Sequence, residues 1–316
     1  MNKLIIFISV FIALAIFFTL SSSENPDSLD FLWSKGLKEK DSYCLRHTEK
    51  RATQKEINDI SKKPGDIKWI RSCDIETFSK SVDFIKDEII LVTGDGDLSI
   101  PEDIDIEAVE KIVNCKKITK WLTQNYTLNN YDKIKPYPIG FDLHTFRGYS
   151  SYDINRLSAF FVSNNPEKTY KRLKSLKIPE KRKLEIFCDV HLLITHPDRK
   201  EVYDMLKDEP HFKPLKGRVK IETLWEKYRE YQFVISTKGN GLDCHRTWEI
   251  IYNGGIVITK TSSLDSLYEN LPVVIVQDWE ECKDVRNLEI WKEKFKNMTS
   301  KEYLEPFFKY DYWIKR

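Results

Sequence analysis

Between residues 67 and 276 short apolar runs recur, each closed by turn residues and most of them followed by a helical stretch. The runs lie at 67–70, 89–92, 118–122 and 134–139, then at the start of 184–195, a strand and its turn, and at 232–236, 256–259 and 273–276. They are too short for core helices and too continuously apolar for strands with one wet face, so they read as parallel strands buried on both sides. Helical stretches at 198–206, 224–231, 243–253 and 264–268 alternate with the later runs. This order predicts an α/β fold with right-handed crossovers and a doubly wound parallel sheet. In 316 residues, 51 Lys and Arg stand against 49 Asp and Glu, a net charge of +2. That balance excludes a polyelectrolyte, and no nucleic-acid partner is expected. A 41% hydrophobic content suits a folded globular body, and its length suggests two domains.

The N-terminus is Met1-Asn2-Lys3 followed by an apolar run over 4–20. As a helix this run would be roughly 25 Å long, suited to a thin internal bilayer. Lys3 precedes it while Glu24, Asp27 and Asp30 follow, which predicts a retained type II signal-anchor with the body in the ER or Golgi lumen. A cleaved secretion signal ending near Ser21-Ser22-Ser23 is the alternative. Six cysteines, at 44, 73, 115, 188, 244 and 282, form no Cys-x-x-Cys pair. This argues against zinc and leaves one or two structural disulfides open. Sequons occur at Asn125-Tyr126-Thr127 and Asn297-Met298-Thr299.

Composition divides the chain into the tip and anchor at 1–23, an N-terminal α/β domain at 24–150 and a linker rich in Ser, Asn, Lys and Pro at 151–183. A C-terminal α/β domain follows at 184–286. Helices at 287–316, carrying Trp291, Phe295, Phe307, Phe308, Tyr310 and Trp313, are expected to pack on the body.

The most informative stretch is 233–249, FVISTKGNGLDCHRTWE. A buried strand ends at Ser236, a loop with Gly239 and Gly241 follows, and Asp243 is placed to cap the next helix. Ligands of open α/β sheets sit beyond the carboxyl ends of strands, and free amides at a helix start attract an anion, so this is a diphosphate pocket. Arg246 falls in the first turn of that helix, where the macrodipole disfavours a cation unless an anion lies nearby. An ordinary surface ion pair between Arg246 and Glu249, three residues apart, is the competing reading.

The stretch 236–258, STKGNGLDCHRTWEIIYNGGIVI, continued by 267–279, LYENLPVVIVQDW, resembles the donor-binding domain of exostosin-like glycosyltransferases. Upstream, 91–97 (LVTGDGD), 121–125 (WLTQN) and 138–144 (PIGFDLH) are similar, less specifically, to the acceptor-side domain of membrane-anchored relatives. The resemblance implies two Rossmann-like domains of GT-B type facing a cleft, behind an N-terminal transmembrane helix. It also implies a nucleotide-sugar co-substrate held by the C-terminal domain, a glycan or glycoprotein acceptor, and a glutamate on donor hydroxyls, here Glu249. Asn253-Gly254-Gly255 departs from the family pattern, which leaves the turn after the helix open.

Glycosyl transfer builds negative charge on a departing diphosphate, and without a metal that charge must meet amides and cations already in place. Ser236, Lys238, Gly239, Asn240, Gly241, Arg246 and Glu249 are the donor-side candidates, with Lys260, Thr261 and Ser262 able to line the same mouth. In Gly94-Asp95-Gly96-Asp97 the two carboxylates resemble a metal-binding Asp-x-Asp, the alternative in which a divalent ion serves a single-domain enzyme. In the two-domain reading Asp95 or Asp97 serves instead as general base or holds acceptor hydroxyls, with His144 the alternative base. No resident metal or cofactor is expected. A non-catalytic, membrane-tethered carbohydrate-binding protein of the same fold is the rival from another class.

Overall fold

The computed structural model describes residues 30–37, 51–128, 130–143, 166–190, 197–217 and 219–316. The apolar run at 4–20, Cys44 and His144 lie outside them. Among the described residues no helix is long and apolar enough to cross a membrane.

Helix α1 (Gln54–Lys62) opens with a capping box in which Thr53 and Glu56 satisfy each other's backbone N–H. Strands β1 (Ile67–Arg71), β2 (Ile89–Gly94), β3 (Ile118–Thr123) and β4 (Ile134–Pro136) then pair in chain order, all parallel. Helix α2 (Ile75–Ser79) lies between the first two strands and α3 (Ile106–Asn114), capped by Asp105, between the second and third. Each crossover steps to the next strand in the same direction, and with the right-handed sense that parallel crossovers take the helices gather on one face, where α2 contacts both α1 and α3. β4 ends at Pro136, short of the predicted 139, because Pro136 and Pro138 offer no N–H and the Ile139 N–H turns away to Asp243.

The predicted linker contains helix α4 (Pro166–Ser175), docked through buried Leu173 and held by Lys301, whose ammonium donates to the Lys174 and Leu176 carbonyls. The second sheet comprises β5 (Lys183–Cys188), β6 (Phe212–Pro214), β7 (Tyr231–Ile235), β8 (Ile256–Lys260) and β9 (Val273–Val276). All neighbours are parallel, in the order β6-β5-β7-β8-β9. Helices α5 (Pro197–Leu206), α6 (Ile221–Glu230) and α7 (His245–Tyr252) connect the strands. The order reverses between β5 and β7, so their carboxyl ends splay and leave a crevice where α/β proteins bind ligands.

Burial explains the unbroken apolar runs. Val234 and Val257 face one hydrophobic cluster, while Phe233, Ile235, Ile256 and Ile258 face another on the opposite side of the sheet. The larger cluster continues without a break from the first sheet into the second. Helix α8 (Val285–Phe295) adds Leu288 and Phe295 to the smaller cluster. The chain then crosses to the larger one through α9 (Lys301–Leu304) and α10 (Tyr310–Lys315), where Phe308 and Trp313 are buried. There the Leu32 N–H donates to the Phe308 carbonyl at 2.8 Å, the Phe31 and Phe308 rings stack with centroids 5.6 Å apart, and Phe141 lies 5.1 Å from Phe31 and 5.7 Å from Phe308.

The turn left open by the sequence is a Schellman motif: Gly254 N–H donates to Ile251 O at 2.8 Å and Gly255 N–H to Ile250 O at 3.0 Å. Gly254 has φ +75°, and Arg182 covers the turn by donating to the carbonyls of Asn253 and Gly254. The five described cysteines form no disulfides.

Candidate functional site

Two buried hydroxyls, Ser236 Oγ and Thr247 Oγ1, meet at 2.9 Å and pin the end of β7 to helix α7. Ser236 is therefore a packing residue in this structure. The Gly239 N–H donates to the Gly241 carbonyl at 3.0 Å, closing the loop on itself. Asn125, from the first lobe, accepts the Asp243 N–H on Oδ1 at 2.9 Å and donates from Nδ2 to the Gly96 carbonyl at 3.2 Å. The expected open cradle of amides is thus filled at Gly239 and Asp243 by the protein's own groups. Gly241 is required by that packing, since a Cβ there would lie 2.7 Å from Asn125 Nδ2. Asn240 is exposed, and Gly239 is buried against the Cys244 sulfur.

Asp243 does not cap α7 as predicted; Cys244 holds that position, with no side-chain cap. Asp243 instead accepts from Ile139 N–H at 2.7 Å, from Trp248 Nε1 at 2.9 Å and from Tyr268 OH at 3.4 Å. Burial pushes its pKa up to about 7, against the opposing pull of these donors. With His245 Nδ1 on Gly140 O at 2.8 Å, the segment 239–245 forms a polar seam between the lobes.

Arg246 stands in the first turn of α7, and its anion is Asp189 just past β5, with Nε–Oδ1 at 2.9 Å. It does not form the ion pair with Glu249 that spacing allowed; Glu249 is buried at 1% exposure. The other oxygen of Asp189 accepts from Tyr228 OH at 2.8 Å. Burial opposes the charge on Arg246, but Asp189 together with the neighbouring Tyr228 and Cys244 outweighs it and moves the pKa up.

A second guanidinium lies alongside. Arg199, in the first turn of α5, is only 6% exposed, and its Nε donates to the Lys238 carbonyl at 3.3 Å. Among the described residues no carboxylate pairs with it, and burial followed by the neighbouring Arg246 lowers its pKa. Cys244 supplies no compensating anion, because burial raises its thiol to about 11. Two neighbouring guanidiniums therefore have one carboxylate between them, Asp189, and of the pair it contacts Arg246 alone, beyond the carboxyl ends of β5 and β7. Such a cluster suits a ligand oxyanion, for which planar guanidiniums are well-matched donors.

Lys238 and Lys260 line an adjoining cleft of about 190 Å³ together with Thr261 and Ser262. On the first lobe, Asp95 occupies the left-handed region at φ +54° and pairs with Arg71 at 3.6 Å and Lys35 at 3.9 Å. Asp97 is exposed. Among the described residues no group of three or more ligating side chains could hold a metal ion. The structure thus brings the 94–97 turn next to the glycine loop through Asn125, while His144 lies outside the described residues.

Arg199 and Asp189 escaped the sequence reading, and Asn125 entered it only as a sequon and in the 121–125 stretch, not as a partner of the glycine loop. One signal was present for Arg199: like Arg246, it is a cation in the first turn of a helix, following Pro197-Asp198.

No family model and no curated protein matches the chain. Among solved structures it is similar to a UDP-forming α,α-trehalose-phosphate synthase from Burkholderia xenovorans, at 11% identity and TM-score 0.38 over 78% of each chain. A glycosyltransferase from Rickettsia africae is similar at 14% identity and TM-score 0.36, over 83% of this chain and 81% of that one. A UDP-GlcNAc 2-epimerase from Methanocaldococcus jannaschii follows at 12% and 0.32, over 76% and 73%. These likenesses are distant, and the functional reading rests on the side chains described above.

Proposed function

We propose that this chain is a glycosyltransferase that moves a sugar from a nucleoside-diphosphate donor to a glycan or protein-linked acceptor. The observation that carries this is the pair of guanidiniums at the reversal point of the second sheet, where Arg246 is paired with Asp189 and the buried Arg199 beside it has no carboxylate partner among the described residues. When the sugar's bond to the diphosphate breaks, the leaving oxygens gain charge, and cations fixed in a dry site stabilise it without reorganising. Lys238 lies beside them, its carbonyl held by Arg199. On the acceptor side, Asp95 and Asp97 are the candidates to take the acceptor's proton or hold its hydroxyls, with His144 the alternative. The finer exostosin-like reading rests on the motif over 236–258, and the lumenal, membrane-anchored placement on the run at 4–20.

The seam favours a second reading. Asn125 fills the Asp243 amide and two cations hold Asp95, as a non-catalytic carbohydrate-binding relative could permit. Isothermal titration of the full chain with UDP and GDP, followed by a donor-hydrolysis assay, separates the two. The transferase binds a nucleoside diphosphate and slowly hydrolyses the corresponding nucleotide sugar, water taking the sugar and the diphosphate leaving; the binder does neither. Arg199→Met should weaken nucleotide binding at least about tenfold, one phosphate-directed charge-assisted bond being worth roughly 1.5–3 kcal/mol. Unchanged affinity in that variant would remove the site.

A further inference from the structure

We infer that the cleft between Lys238 and Lys260 is the subsite for the donor's sugar ring, and that it selects an uncharged sugar. The inference rests on the proposed transferase reading and adds the class of sugar to it. Continuity comes first: Arg199 holds the Lys238 carbonyl, and Lys238 lines the cleft, so a diphosphate on the guanidiniums leads straight into it. Size comes next. At about 190 Å³ the cleft falls below the roughly 300–1,000 Å³ that encloses a whole drug-sized ligand, so it takes one ring of a nucleotide sugar.

Charge then decides which ring. Lys238 pairs with Asp198 at 3.5 Å and Lys260 with Glu201 at 2.9 Å, both carboxylates on one face of α5. The Glu201 hydrogen bond raises the Lys260 pKa and keeps that ammonium charged. With each cation already answered, a carboxylate or phosphate on the sugar would meet the Asp198 carboxylate in the wall and find no free counter-charge among the described lining residues, since Glu201 already holds Lys260. A hydroxyl both donates and accepts, and so fits a wall where ammonium and carboxylate alternate.

Residues lining the cleft also hold unmet hydrogen-bonding groups. Thr237 and Trp279 both line it, and Thr237 Oγ1 and Trp279 Nε1 are buried without a hydrogen-bond partner among the described residues. A buried polar group without a partner is costly, and a ligand hydroxyl would relieve it.

The test is calorimetric titration of the full chain with UDP, UDP-glucose and UDP-glucuronate, and with GDP and GDP-mannose if guanine is the preferred base. UDP-glucose and UDP-glucuronate differ only by a hydroxymethyl against a carboxylate, so the uronate should bind at least about tenfold more weakly. Thr237→Val should weaken UDP-glucose roughly three- to tenfold while UDP alone, held at the arginines, binds as before and reports that the fold is intact. The same variant should melt higher than the parent without ligand, because it deletes an unpaired buried hydroxyl. Equal or tighter binding of UDP-glucuronate overturns the inference. So does weaker binding of UDP itself to Thr237→Val, which would put the nucleoside in the cleft. Absence of UDP and GDP binding altogether overturns the transferase reading beneath it, whereas nucleotide binding without sugar discrimination overturns the cleft assignment alone.

Discussion

Replacing Asp189 with Asn should set stability and ligand affinity against each other. The substitution keeps the shape and an oxygen for Tyr228, but leaves Arg246 without its counter-ion. Breaking a buried pair from one side costs about 3–5 kcal/mol. The side chains of Arg246 and Asp189 are 17% and 6% exposed, so some charge still reaches water and the loss falls near the lower end, about 3 kcal/mol. At roughly 2–4 °C per kcal/mol for a protein of this class, melting should fall roughly 6–12 °C in low salt. A diphosphate supplies the missing anion, so UDP or GDP should bind more tightly than to the parent. At 100-fold excess over Kd it should return about 2.7 kcal/mol. The double variant Asp189→Asn with Arg246→Met removes both charges and should lose less than the sum of the single variants. Differential scanning fluorimetry with and without nucleotide reads all of this. An unchanged melting temperature in Asp189→Asn, or nucleotide affinity that drops with stability, would refute the single-carboxylate argument.

Gly241→Ala should cost about 1–3 kcal/mol in urea unfolding, because its Cβ meets an Asn125 amide pinned on both sides, and the cost should largely vanish in an Asn125→Ala background. Gly254→Ala should cost about 2 kcal/mol or more, combining a left-handed φ of +75° with a Cβ 2.8 Å from the Thr299 carbonyl, and a denaturant midpoint measures it. Asp243 contributes a pH dependence of known sign. With a folded pKa of about 7 against 3.8 for the free side chain, the folded state holds a proton that the unfolded chain has released. Its contribution is therefore full below about pH 4 and is lost, by on the order of 4 kcal/mol, as pH rises to about 7. Urea midpoints across that range should slope down in the parent and flatten in Asp243→Asn; an upward slope from this residue would contradict the burial argument.

The strands of the second sheet were legible because both faces are buried, so every position from Phe233 to Ile235 and from Ile256 to Ile258 had to be apolar. Local periodicity also located the helix behind the glycine loop and the odd cation in its first turn. What it could not reveal was the distant partner, because Asp189 reaches Arg246 only once β5 and β7 lie side by side. The same limit explains Asp243: its position looked like a cap, but the folded chain offered it Ile139, Trp248 and Tyr268 instead. The glycine loop read as an open cradle because nothing near it in the chain announces Asn125. Arg199 was within reach of the helix-dipole argument applied to Arg246, and no glycine motif drew attention to it.

The crossing of residues 307–314 imposes an order on biosynthesis. Phe308 and Tyr310 lie against Phe31, Trp33 and Phe141, and the Ile314 carbonyl receives the Lys120 ammonium. The lobe built on the first sheet is translated before residues 307–314 and therefore waits for them before its interior is sealed from water. Until then its aromatic residues are open to chaperones, and a premature stop after α8 would leave the finished first sheet permanently uncovered.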